Sequence, residues 1–167
     1  MSVVIMDGRI RVYWLTACAN IALPTTAELN AGTNIGQYIT PDGLDIGMTT
    51  GKVNVGNVTS TFTLERVGRR SPSISLTLHH DATSGSTDPA WSLLLYRATG
   101  FLAVRSGVDS ATAWTTGQGA GGTTGTLEMY PVECGEYSGV KPAPDTSWDF
   151  TIDLTIYLDP NKRSVVA

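Results

Sequence analysis

With 167 residues the chain is sized for a single domain, and its 41% hydrophobic residues supply a core. Charged residues are only 16%, against roughly 25% in ordinary soluble domains, and 23 threonines and 18 glycines take their place. A net charge of −4, no Lys/Arg cluster beyond Arg69-Arg70, and no heptad, Gly-X-Y period or apolar run near eighteen residues argue against an electrostatic grip on phosphate and against coiled-coil, collagen and membrane-spanning classes.

In chain order, Val3 to Met6 are apolar but lack the basic flank and length of a secretory signal, so a cytoplasmic product with reduced thiols is expected. Ile10, Val12 and Trp14 alternate with Arg9, Arg11 and Tyr13, which predicts a strand. Thr25 and Glu28 have capping-box spacing and Gly32 ends the run, which predicts a short helical turn. Residues 32–57, with Pro41 and many glycines, read as a long loop. Its apolar residues, Ile35, Tyr38, Ile39, Leu44, Ile46 and Met48 among them, imply that it packs on something. Phe62 and Leu64 between Thr61, Thr63 and Glu65 predict a strand, and Ile74, Leu76 and Leu78 another. Asp88 as cap, Pro89 at the first helical position, then Trp91, Leu94, Leu95 and Ala98 predict one helix over about 88–99. Strands follow at 101–105 and 127–132, separated by a Gly/Thr-rich stretch, 117–125, that reads as a mobile hairpin tip. The clearest element is last. Trp148, Phe150, Ile152, Leu154, Ile156 and Leu158 alternate with Asp149, Thr151, Asp153, Thr155, Tyr157 and Asp159 in one long strand with one buried face.

No motif carries chemistry in this pattern. The G-x-G-x-x-G match at 117–122 is followed by strand residues instead of the helix that would aim amides at a pyrophosphate. His79 and His80 are adjacent on a strand and face opposite sides, and Cys18 and Cys134 are not spaced as metal ligands. Asp149 and Asp153 lie roughly 13 Å apart by strand rise, too far for a glycosidase pair. Trp91 and Trp148 pattern as core. The reading is a non-enzyme, with no catalytic residue, cofactor or metal.

The order and spacing of several segments resemble the major tail (tail tube) proteins of long, non-contractile-tailed bacteriophages, particularly those of actinobacterial hosts. The segments are Pro24-Thr25-Thr26-Ala27-Glu28-Leu29-Asn30-Ala31-Gly32, Thr40-Pro41-Asp42-Gly43-Leu44, Asp88-Pro89-Ala90-Trp91-Ser92-Leu93-Leu94, Gly100-Phe101-Leu102-Ala103-Val104-Arg105, Tyr130-Pro131-Val132-Glu133-Cys134-Gly135 and Val165-Val166-Ala167. The resemblance implies a mainly β fold, an antiparallel sandwich or barrel flanked by one helix, in a single domain over 1–167. It implies rings of six that stack into a tube through a long inter-subunit loop. Its partners are further copies and other tail proteins such as the tape measure, terminator and distal tail proteins. Double-stranded DNA passes through transiently, no membrane is involved, and the place is the virion tail after assembly in the host cytoplasm.

A lumen that DNA crosses without sticking favours acids and small hydroxyls over cations. The candidate wall is Asp149, Thr151, Asp153 and Thr155, with Thr61, Thr63 and Glu65 on a second strand. For stacking the candidates are Ile39, Leu44, Ile46 and Met48. The competing readings are a tail terminator or head–tail connector that stops at one ring, and a carbohydrate-binding β-sandwich using Trp114 and Tyr137 as sugar platforms.

Overall fold

The computed structural model describes residues 8–59, 61–81, 88–115, 126–139 and 147–167. Its elements are β1 (Ile10–Leu15), α1 (Thr26–Ala31), β2 (Thr33–Asn34), β3 (Ile39–Asn54), β4 (Glu65–His79), α2 (Pro89–Leu93), β5 (Thr99–Ser106), β6 (Thr126–Gly139), β7 (Asp149–Ile156) and β8 (Asn161–Val165). The fold is mainly β, as expected. The strands form one antiparallel sheet in the order β2-β1-β5-β6-β7-β4-β3. β6 is long enough to hold β5 on one edge and, on the other, β8 along its first part and β7 along its last.

This sheet has to curl. Six inter-strand spacings of ~4.8 Å would separate its two outermost strands by roughly 29 Å if it were flat. Those two strands, β2 and β3, are joined by residues 35–38, a connection that spans at most about 18 Å even when extended. Ile35 and Gly36 donate backbone hydrogen bonds to Val12 O, and His79 N donates to Tyr38 O, so the connection ties both margins together.

Inside the curl, Val12, Trp14, Leu102, Val104, Tyr130 and Val132 of β1, β5 and β6 form one core with Ile74, Leu76 and Leu78 of β4 and Phe150, Ile152 and Leu154 of β7, joined by Ala90 and Leu94 from α2 and the residue after it. A second core lies on the other face of β1, β5 and β6, where Leu15, Ala103, Leu127 and Met129 meet Leu29 of α1 and Trp114. Strands buried on both faces lose their alternation. That is why β5 reads as a nearly continuous apolar run, whereas β7, covered on one face, alternates cleanly. Gly100 lies where a Cβ would stand 2.5 Å from the Trp14 ring, so glycine lets the indole lie across β5.

Three expectations are corrected. The 88–99 helix is only five residues long. Asp88 caps it and Pro89 opens it as expected, but Arg97 takes a left-handed φ of 63°. Arg97 N then donates to Cys134 O, and Cys134 N to Ala98 O, so pairing with β6 overrides helical periodicity. A second short helix, α1, carries the expected capping box.

The long loop at 32–57 is mostly strand. β3 pairs with β4 from Ile39↔Leu78 to Asn54↔Glu65, interrupted by a bulge where the register jumps from Ile39 to Leu44. Gly43 sits in that bulge with Thr77 O 2.3 Å from where a Cβ would be. Thr61, Phe62, Thr63 and Leu64 precede β4 and are not in a strand. The stretches 3–6 and 117–125 lie outside the described residues.

Candidate assembly surfaces

The outward face of β7 and β4 gathers the acids and hydroxyls of the sequence pattern. Directly opposed pairs are His79↔Asp149, Thr77↔Thr151 and Ser75↔Asp153, with Asp45 of β3 opposite Ser75 and Glu133 of β6 opposite Thr155. The Thr77 and Thr151 hydroxyls are 2.9 Å apart, and a groove of about 570 Å³ runs past Asp45, Ser73, Ser75, Asp153 and Thr155, with one cation, Arg70, also in its lining. Asp149 and Asp153 thus share a face as expected. Thr61, Thr63 and Glu65 do not join them. β4 meets β7 only from Ile74 to His79, and Glu65 lies nine residues upstream, roughly 30 Å away by strand rise. Glu65 instead pairs with Lys52 at 2.9 Å. The second strand of this face is Ser75, Thr77 and His79.

At Asp149, Oδ1 lies 2.5 Å from His79 Nδ1 and Oδ2 accepts from Ser147 Oγ. Partial burial pushes its carboxyl up, but the bonds from His79 and Ser147 outweigh this and hold it below the usual aspartate range. A folded-state value below the unfolded one gives stability that is in place above about pH 3.9 and is lost as pH falls through the lower folded value. We expect Asp149→Asn to lower the urea midpoint at pH 7, and the gap from the parent chain to close as pH falls through the folded-state value of Asp149. A gap that stays equal from pH 7 into acid contradicts this coupling.

Beyond Ile74, β3 and β4 leave the body as a two-stranded arm. The pairing of β4 with β7 ends at that point, so Pro72 of β4 is paired with β3 alone, a place where a strand tolerates proline. Residues 49–59 and 61–67 are all exposed. They include Val53, Val55, Val58, Phe62, Leu64 and Val67, with Phe62 79% and Val67 80% accessible. The sequence-predicted stacking residues sit at the base instead. Ile39, Leu44 and Ile46 are half-buried against the chain's own core, and Met48, also half-buried, pairs with Pro72 where the arm begins.

A third feature lies at the opposite end of β4. His80 stacks among Trp91, Trp148 and Phe150 with ring centroids 4.3–4.8 Å away, and Trp91 meets Tyr137 edge-on at 4.3 Å. Asp88 joins this cluster to α2: one carboxylate oxygen accepts from Trp91 N, and the other lies 2.9 Å from His80 Nδ1. The histidines do face opposite sides, His79 to Asp149 and His80 to Asp88. Trp148 corrects its core reading, since it sits at the rim, 55% exposed.

The whole chain, residues 1–167, matches the family described as phage tail tube protein. This chain belongs to that family. No curated protein sequence matches it. Among solved structures, a chain from the cryo-EM structure of the anti-feeding prophage baseplate, six-fold symmetrised, superposes with a TM-score of 0.55 at 11% identity and covers 96% of both chains, a likeness of fold.

In a phage tail tube protein these surfaces are read as those of a structural tail subunit. Trp114, expected as an exposed sugar platform, is 1% accessible and packs under the Arg11 and Arg105 guanidinium groups and beside Tyr13. Among the described residues no group of three or more histidine, cysteine or acidic side chains is placed to hold a metal ion. Cys18 and Cys134 are both free thiols; burial, with Glu133 beside it, pushes Cys134 up to about 12. Sequence reasoning missed the arm's outer residues and the aromatic end. Its signal was available in Val53, Val55, Phe62, Leu64 and Val67, apolar residues outnumbering what one hairpin can bury.

Proposed function

We propose that this chain is the structural, non-catalytic subunit of a long, non-contractile tail tube, built from rings of six that stack without limit and conduct double-stranded DNA. The observation that carries this reading is the arm. A lone two-stranded ribbon is at best marginal in water, and one with six large apolar side chains exposed calls for cover from a neighbour. A subunit whose arm meets an unlike surface on the next copy makes a heterologous contact, which repeats along an axis when its rotation does not close a ring. That favours a polymer over a terminator or connector that ends after one ring. The six-fold baseplate to which the fold is similar supports the ring number, and the sequence segments support an actinobacterial host.

The lumen wall in this proposal is Asp149, Thr151, Asp153 and Thr155 of β7, with Ser75 and Thr77 of β4. Acids repel phosphate, and neutral hydroxyls cancel no phosphate charge and release no counterions, so DNA slides past them. Stacking falls to the outer arm, with Ile39, Leu44, Ile46 and Met48 bracing its base. The tape measure, terminator and distal tail proteins are its further partners in the virion, after assembly in the host cytoplasm. Electron microscopy of the concentrated, purified protein tests the reading. Hollow tubes with a regular axial repeat are expected, and isolated rings at every concentration would assign it to the terminator class.

A further inference from the structure

The margins of the sheet are tied by residues 35–38, but toward the start of β1 they stand apart. A groove of about 560 Å³ runs between them, bordered by Gly8, Ile10 and Val12 on the β1 side and by Ile39, Pro41 and Leu44 on the β3 side. Its β1 wall is an open strand edge. Neighbouring residues of a strand turn their N–H and C=O groups to opposite edges. Arg9 O accepts from Gly107 N on the side of β5, and Val12 O accepts from Ile35 N and Gly36 N on the other side. Ile10 therefore turns its N–H and C=O to the groove, and β2 pairs with β1 only at Tyr13 and Trp14. The facing wall offers little ladder of its own, because Pro41 has no N–H and β3 bulges between Ile39 and Leu44.

Apolar cover is incomplete at the same place. Trp14, Val12 and Ile10 share one face of β1, and the first two are 2% and 1% accessible while Ile10 is 38%. Ile39 and Leu44 across the groove are half-buried. One short, apolar, extended segment would complete both the ladder and the cover, and the chain carries such a segment next to the groove. Val3, Val4, Ile5 and Met6 lie outside the described residues, which begin at Gly8 on the groove's rim. Four extended residues span roughly 13 Å, the same length as the β1 border from Gly8 to Val12. Asp7-Gly8 is a turn-forming pair, and Gly8 holds a left-handed φ of 67° that permits a reversal. Bonds from Ser110 N to Gly8 O and from Gly107 N to Arg9 O pin the exit of that reversal beside β5.

We infer that residues 3–6 dock in this groove of their own chain as an added strand, antiparallel to β1 and bonded to Ile10, with apolar side chains over Ile10, Ile39 and Leu44. Valine and isoleucine suit a half-buried extended segment of this kind. Docked there, the segment covers a strand edge that is otherwise a template for pairing with another chain, and it fills the gap between β1 and β3. This docking belongs to the free subunit and is independent of the tail tube reading.

The test places the photo-crosslinking residue p-benzoylphenylalanine at Ile5 of the full-length chain, kept dilute, irradiated and mapped by mass spectrometry. Crosslinks within one chain to the peptide carrying Ile39 to Leu44 are expected. Crosslinks only to another copy, crosslinks only to other surfaces of the same chain, or none, overturn the docking. Amide hydrogen exchange followed by NMR gives an independent reading at Ile10. The double variant Val3→Asp, Ile5→Asp should exchange the Ile10 amide at least about tenfold faster than the parent, with Leu102 and Val104 of β5 unchanged and thermal unfolding still cooperative. Equal exchange at Ile10 in the two proteins overturns the docking.

Discussion

Replacing residues 48–72 with an Asn-Gly turn between Gly47 and Ser73 is expected to give a folded monomer that does not polymerise. Gly47 and Ser73 are directly opposed, and Ser73 keeps the backbone N–H that closes a two-residue turn, which Pro72 lacks. The body keeps Ile74, Leu76 and Leu78 of β4 and the half-buried Leu44 and Ile46 of β3. The removed ribbon is exposed along most of its length, so the stability change should stay within about 1 kcal/mol, read as the urea midpoint at constant slope. Assembly, followed by sedimentation and electron microscopy, should be lost even at a hundredfold the parent's critical concentration. Tubes of normal repeat from this variant would remove the arm from the stacking contact. A stability loss above about 2 kcal/mol would show instead that the arm braces its own body.

Arg105 gives the largest expected effect within the monomer. It is fully buried on β5, directly opposite Arg11 of β1. Its guanidinium donates to the carbonyls of Ala113, Thr112 and Asp109 at 2.5, 2.6 and 3.3 Å and lies 5.1 Å from the Trp114 ring. Arg11 donates to Thr112 O from its own side and sits 4.3 Å from the same indole. The two arginines thus fix the 109–114 segment, and with it Trp114, onto the second core. Burial, together with the like charge of Arg11, lowers the Arg105 pKa from its ordinary value. Arg105→Ala takes the donor from Ala113 O, leaves Thr112 O to Arg11 and Asp109 O to Thr112 N, and opens a cavity that loosens Trp114, at an expected cost of about 2–5 kcal/mol. Arg105→Lys should recover less than half, because a point charge does not reproduce a planar fork spread over several acceptors. Chemical denaturation gives the energies, and a red-shifted tryptophan emission should accompany the loss. A lysine variant as stable as the parent would show that charge alone suffices there.

Legibility in the sequence followed the number of faces each element buries. β7 has one buried face, and its alternation was plain. α1 announced itself through Thr25 and Glu28, whose reciprocal bonds depend on nothing distant. β3 was hidden by its own punctuation. Pro41 and Gly43 belong to a bulge, and Gly47 faces Ser73 with its Cβ position only 2.6 Å from that hydroxyl. The alternation of Leu44, Ile46 and Met48 was present but outweighed by residues that usually mark loops. Phe62 and Leu64 alternate like a half-buried strand, yet periodicity reports that two sides differ and is silent on whether the cover comes from the same chain. Trp114 was misread because its partners, Arg11 and Arg105, are distant in sequence or ordinarily exposed. The acidic face was half legible: β7 named its own acids, while the identity of its neighbour depended on a strand register that local pattern does not encode.

The arm and the aromatic end are connected by one strand, β4, whose ladder with β3 shifts register between Thr50 and Lys52, and this has a mechanical consequence. Ladder hydrogen bonds in antiparallel sheets lie across the strand direction. A pull between the two ends of β4 therefore loads its bonds to β3 and β7 in shear, all together, and no end bond can open first like the teeth of a zip. Tension along that line meets the stiffest direction of the sheet, while bending across it meets only a curl held at its margins by residues 35–38.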